Sequence, residues 1–159
     1  KTSIWELIKK QGVPPTRLMR YCCKELKEYG GEGRVKVLGV RWAESSGRKN
    51  NRKLTEMCYK NHTVTVNPII DWTETEVWEF HKLYNLPHNP LYDEGYKRVG
   101  CIGCPQKGKK GMLEDFKRFP KYKENYLRAF TKMLKMREQK GLETTWKNAE
   151  EVFDWWINL

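Results

Sequence analysis

Four of the five cysteines stand in two pairs, Cys22-Cys23 and Cys101-Ile-Gly-Cys104, and this pairing constrains the chain more than any other feature. An odd cysteine count without a secretion signal argues against a disulfide framework and for a reducing, cytoplasmic setting. Four thiolates suit zinc or an iron–sulfur cluster, since both are soft, positively charged centres. Structural zinc sites draw on two separated cysteine knuckles, whereas neighbouring helical side chains diverge by about 100°. Adjacent cysteines therefore fit poorly as two ligands of one small ion. The corners of a four-iron four-sulfur (4Fe-4S) cube lie farther apart and suit a Cys-Cys pair, which favours iron–sulfur and leaves zinc as the alternative. Packing is the plainer use, because cysteine is often buried and Cys22 lies on an apolar helical face. Cys58, alone in Met57-Cys58-Tyr59, reads as a core or spare thiol, or as an alternative ligand replacing one of the adjacent pair.

The 159 residues suffice for one hydrophobic core. Seven Trp and 13% aromatic residues exclude a disordered tail. Apolar runs fall far short of the roughly 20 residues that span a bilayer, so no membrane partner is expected. Lys and Arg number 31 against 20 Asp and Glu, a net charge of +11. Such an excess suits nucleic acid, an anionic membrane surface or a nucleotide, and equally an ordinary soluble surface. The chain opens Lys-Thr-Ser-Ile-Trp, without initiator Met or signal peptide, and reads as a piece of a longer polypeptide.

Helices and short strands alternate. Ser3 and Glu6 form a capping box for a helix with Ile4, Leu7 and Ile8 on one face, ended by Gly12. A second helix is expected from Pro14-Pro15-Thr16 to about Tyr29. Val35–Val40 and Thr63–Ile70 read as strands, separated by a polar loop from Arg41 to Arg52. Thr73 and Glu76 cap a third helix whose core face includes Val77, Trp78, Phe80, His81 and Tyr84. An irregular stretch from Leu86 to Gly111 holds the C-x-x-C unit. A helix from about Leu113 to Lys140, broken near Pro120, precedes a last one begun by Asn148 and Glu151. Strand, polar loop, helix favours the α/β class. Two strands are too few for a stable sheet, which again points to missing polypeptide on the N-terminal side.

The segment Gly39-Val40-Arg41-Trp42-Ala43-Glu44-Ser45-Ser46-Gly47-Arg48 follows a strand's carboxyl end, where open α/β sheets bind ligands. Arg41 and Arg48 present forks suited to phosphate or sulfate, Glu44 is placed to orient one of them, and Ser45 adds a hydroxyl. The plainer reading is a solvated basic loop. Lys97 and Arg98, just before the C-x-x-C unit, are placed to neutralise an anion or a negatively charged thiolate cluster. Tyr92 and Tyr96 read as core, His81 as a packing residue, and His88 and His62 as loop residues. The later helix interleaves lysines with Tyr122, Tyr126 and Phe130, a nucleic-acid pattern that also describes an ordinary amphipathic helix.

Taken together, these segments resemble the phosphoadenosine phosphosulfate (PAPS) reductase family. Four blocks carry the likeness in order: Arg20-Tyr21-Cys22-Cys23-x-x-Leu26-Lys27; Gly39-Val40-Arg41-x-x-Glu44-Ser45-x-x-Arg48; Asn67-Pro68-Ile69-Ile70-Asp71-Trp72-Thr73-x-x-Glu76-Val77-Trp78; and Asn89-Pro90-Leu91-Tyr92-Asp93-x-Gly95-Tyr96-x-Arg98-x-Gly100-Cys101-x-x-Cys104-Pro105. The resemblance implies an adenine nucleotide alpha-hydrolase-like three-layer α/β sandwich, here incomplete and helix-rich. It divides the chain into residues 1–112, the C-terminal part of a reductase-like domain, and 113–159, a helical extension packed on it. It implies a sulfur-metabolism oxidoreductase acting on adenylyl sulfate (APS) or PAPS, with ATP as a further nucleotide candidate and a thioredoxin-like reductant. Cys22, Cys23, Cys101 and Cys104 become the ligands of a 4Fe-4S cluster, with zinc as alternative. Arg41, Glu44, Ser45, Arg48, Lys97 and Arg98 become the anion site. The family's Ser-Gly-Gly-Lys-Asp-Ser-like phosphate loop and its C-terminal nucleophilic cysteine have no counterpart in this sequence, so catalytic residues stay unassigned. Nucleic-acid sulfur modification or binding, and a zinc-stabilised domain without activity, stand as alternatives.

Overall fold

Helix capping explains where most of the segments begin and end. The structure, a computed structural model, describes residues 2–28, 30, 31, 33–58 and 63–159, with Cys58 described by its backbone alone. The reading of His62 falls outside the described residues. The chain forms two compact units, Lys1–Tyr29 with Gly100–Leu159, and Gly30–Val99.

The first unit is helical: α1 (Ile4–Gln11), α2 (Tyr21–Leu26), α5 (Gly108–Arg118), α6 (Pro120–Gln139) and α7 (Ala149–Ile157). Ser3 Oγ accepts from the Glu6 N–H at 3.3 Å, and Gly12, at φ 70°, closes α1 by donating its N–H to Ile8 O. Pro120 opens α6, where its missing N–H costs nothing, so the expected break separates α5 from α6. Tyr126, Ala129, Phe130, Met133 and Met136 fall on one face of α6 and are buried. Asn148 accepts from the Glu151 N–H at 2.9 Å and starts α7, which buries Val152, Phe153, Trp156 and Ile157. Trp156 lies at the centre of this core, 4.7 Å from the Tyr126 ring and 5.5 Å from Phe130. Its Nε1–H donates to Pro15 O at 2.6 Å.

Two boundaries in this unit differ from expectation. The second helix begins at Tyr21, because Thr16 Oγ1 accepts from the N–H groups of Leu18 and Met19 and makes a side-chain turn that competes with helix. Leu18, in the segment expected to be helical, is 93% exposed. The later helix starts at Gly108, ahead of Leu113.

In the second unit lie β1 (Lys36–Val37), α3 (Ser46–Asn51), β2 (Thr55–Cys58), β3 (Thr63–Val66) and α4 (Glu74–Leu83). The sheet order is β1-β3-β2, with β1 parallel and β2 antiparallel to β3. Strand β2 was not expected; it has no clean alternation of apolar and polar residues. The two expected strands are shorter than read. β1 pairs over two residues, extended by the Leu38 N–H to Val66 O bond, and β3 ends where the Asn67–Ile70 turn begins. The polar loop is also partly ordered, with a 3₁₀ turn at Trp42–Glu44 leading into α3. The Thr73/Glu76 capping box is present, and the Thr73 backbone and hydroxyl donors hold the Glu76 carboxyl below its ordinary range. Its expected core face is not buried: Phe80 and Tyr84 stay exposed and stack on each other at 4.5 Å. Among the described residues, Ile70 is the only fully buried hydrophobic side chain of this unit. The α/β class holds, with a helix-rich chain around a small three-stranded sheet. No described helix is long and apolar enough to cross a membrane.

Removing the central indole tests this core. Trp156→Ala should destabilise the protein by about 3–5 kcal/mol, through lost burial and a residual cavity. Denaturant unfolding followed by far-UV circular dichroism reads the shift.

Candidate functional site

Two places gather chemistry-bearing side chains, one in each unit. In the first unit, all four paired cysteines line a single cavity of about 380 Å³ with Ile4, Trp5, Leu26, Lys27, Tyr122 and Tyr126 among its walls. Helix α2 contributes Cys22 and Cys23, while a turn closed by the Cys104 N–H to Cys101 O bond contributes the other pair. Cys101 is exposed; the other three cysteines are half-buried. Arg20 Nη2 donates to Cys23 Sγ at 3.5 Å, and this bond with the Cys23 and Cys104 charges raises the arginine further. The Tyr21 hydroxyl donates to Val13 O at 2.7 Å. Burial is the main cause of the raised values of Tyr21 and Tyr126, with nearby cysteines adding to each. Burial first, then the neighbouring Cys23 and Cys104, pushes the Cys22 thiol up to about 11. Among the described residues, no three His, Cys, Asp or Glu side chains converge as a single metal ion requires.

In the second unit the anion-loop residues come together in part. Arg41 is 12% exposed and pairs with Glu74 at 3.3 Å, while its Nη1 is buried without a partner. Arg48 pairs with Glu44, and the Ser45 hydroxyl accepts from the Arg48 N–H at 3.2 Å as the N-cap of α3. The Arg48 value is lowered by burial and by the like charges of Arg98, Arg52 and Arg41. Guanidinium groups held close enough to repel one another, one of them with an orphaned buried nitrogen, have the chemistry that pairs with an anion. Lys97 is exposed and is not among the charges acting on Arg48.

Arg52 was missed by the sequence reading, although its position four residues after Arg48 was a usable sign. It is held by Glu56 at 2.9 Å; that carboxylate also accepts from the buried Asn67 amide at 2.9 Å. Trp42 anchors the same loop, donating Nε1–H to Arg52 O and its backbone N–H to Ile70 O. Trp5, Tyr122 and Tyr126 were likewise missed as cavity walls. Cys58 ends β2 in the second unit. His81 packs its ring on Trp78 as expected, and His88 pairs with Asp93 in a loop.

Residues 22–107, just over half of the chain, match the phosphoadenosine phosphosulfate reductase domain, and the chain belongs to that family. An uncharacterized protein of Methanocaldococcus jannaschii is 29% identical over 94% of this chain and 34% of its own length. Adenosine 5'-phosphosulfate reductases of Bacillus cytotoxicus and Staphylococcus haemolyticus are 34% and 38% identical, over 59% and 52% of this chain. The chain spans 42% and 36% of those two reductases.

The Cys22 environment has a measurable consequence. A thiol whose value is raised in the fold stabilises the fold below the ordinary thiol range and withdraws that support as pH climbs to about 11. In metal-free protein, alkylation of Cys22 should still be rising between pH 9 and about 11. Peptide mass spectrometry after timed iodoacetamide exposure checks this; a plateau reached by pH 9 would contradict it.

Proposed function

We propose that this chain is the cysteine-bearing portion of an APS or PAPS reductase-type oxidoreductase. The observation that carries the reading is the convergence of Cys22, Cys23, Cys101 and Cys104 on one cavity. The donor set fits a 4Fe-4S cluster: four thiols line one cavity. Arg20 and Lys27 add positive charge beside thiolates that would carry a net negative cluster. When bound, the cluster supplies delocalised charge and a redox-capable centre tuned by its surroundings. Trp5, Leu26 and Tyr126 exclude water from that wall of the cavity.

Arg41, Arg48 and Arg52 bind the sulfate or phosphate end of the nucleotide, while Glu44 and Glu74 orient the forks. Two electrons from a dithiol of thioredoxin type convert the transferred sulfate to sulfite, with AMP or its 3'-phosphate released and the dithiol oxidised to a disulfide. The reaction also calls for a phosphate loop and a nucleophilic thiol, and neither role is assigned to a residue of this sequence. Reductases of that name among the relatives support the substrate class.

Anaerobically purified full-length protein should contain about four irons and show broad visible absorbance. One zinc and no iron would overturn the cluster assignment. In the same protein, Arg41→Ala and Arg48→Ala should each weaken binding of APS by about tenfold or more, as loss of a charge-assisted bond implies. Calorimetry with APS and with AMP separates the sulfate contribution from that of the adenosine.

A second reading rests on where the charge lies. The first unit holds 20 of the 31 Lys and Arg residues but only 11 of the 20 Asp and Glu. Nucleic-acid binding through its lysine-rich helices would give a salt-dependent mobility shift. Absence of any shift at low salt removes this reading.

A further inference from the structure

The Ile102–Gly103 peptide group, in the middle of the C-x-x-C unit, is tied at both its N–H and its C=O to helices that follow the family-matched region. The Gly103 N–H donates to Asp115 Oδ2 at 2.8 Å, and the Tyr126 hydroxyl donates to Ile102 O at 3.2 Å. Asp115 and Tyr126 lie on α5 and α6, beyond residue 107. Gly103 itself has φ +69°, and a Cβ there would meet Phe116 Cζ at 2.6 Å and Tyr126 Cε2 at 3.0 Å. Only glycine fits this conformation and this close approach.

Asp115 is 4% exposed, and Lys107 Nζ lies 2.7 Å from each of its carboxylate oxygens. A buried ion pair of this kind brings little net stability, because desolvation offsets attraction. What it does supply is direction: a charged acceptor, neutralised from one side, fixed on one backbone N–H. Arg17 Nε adds a third anchor at Pro105 O, 3.3 Å away. The turn carrying Cys101 and Cys104 is thus held from outside before anything binds to its thiols.

We propose that Asp115 is a positioning residue for the Cys101/Cys104 pair, with Lys107 as its counter-ion. The carboxylate fixes Gly103 and so the presentation of both thiols to the cavity. Its charge and that of Lys107 bias the group the thiols hold in opposite directions. The last statement rests on the iron–sulfur reading above; the first does not.

Two measurements on full-length protein test this. In metal-free protein, nitrogen-15 NMR follows exchange of the Gly103 amide in wild type, Asp115→Asn and Asp115→Ala. Exchange should quicken by about tenfold or more in the variants, the loss expected for a charge-assisted hydrogen bond. Should Asp115→Ala fail to fold, the near-isosteric Asp115→Asn decides the point. Unchanged exchange in a folded variant overturns the proposal. In reconstituted protein, Asp115→Asn should move the cluster midpoint potential up and Lys107→Met should move it down. A merely structural pair would not produce opposite signs, so potentials that stay put or move together also overturn the proposal. Wild-type protein that takes no iron refutes the cluster reading instead, and the amide exchange then decides the clamp by itself.

Discussion

The indole N–H of Trp156 donating to Pro15 O holds the first unit together. It ties the last helix to the segment that leads into Cys22 and Cys23, across 141 residues of sequence. Around the same indole pack Phe116, Tyr126, Phe130 and Phe153, and the first two of these also bound Gly103. The core and the cysteine cavity therefore share walls. A side chain that fills the interior on one edge shapes the thiol site on the other, so packing and site geometry are set by the same aromatic residues.

The two units differ in how they are stabilised. The helical unit buries a contiguous aromatic core. The sheet unit buries Ile70 and relies on polar anchors: Asn67 donating to Lys53 O and to Glu56, and Trp42 donating to Arg52 O. Those anchors order the segment that carries Arg41, Arg48 and Arg52. Val35, Val37, Leu54 and Met57 remain exposed around its sheet.

Legibility in the sequence followed the locality of the interactions. Caps at Ser3, Thr73 and Asn148 were readable because the bonds span three residues. So was the break at Pro120, a property of one residue. The second helix was overdrawn because the Thr16 side-chain turn competes locally with helix, and composition alone does not rank the two. Strand β2 was invisible because Thr55-Glu56-Met57-Cys58 owes its state to pairing with β3, a tertiary cause. At the site, the cysteine pairs and most of the arginine loop stood out by residue type and spacing. Asp115, Tyr126 and Trp5 did not, since an acid and two aromatics on amphipathic helices look like any others until the fold brings them to the C-x-x-C turn.

The order of the units along the chain has a thermodynamic consequence. The sheet unit, Gly30–Val99, is an excursion that leaves the helical unit just after one cysteine pair and returns just before the other. Any group gripped by both pairs closes that excursion into a loop, as a disulfide would. In the chain-entropy account, cross-linking a loop of this size restricts the unfolded ensemble by roughly 4–5 kcal/mol. Occupancy of the cavity and the folding of a sheet with little core of its own are then linked through the polypeptide, without any contact between the bound group and the strands.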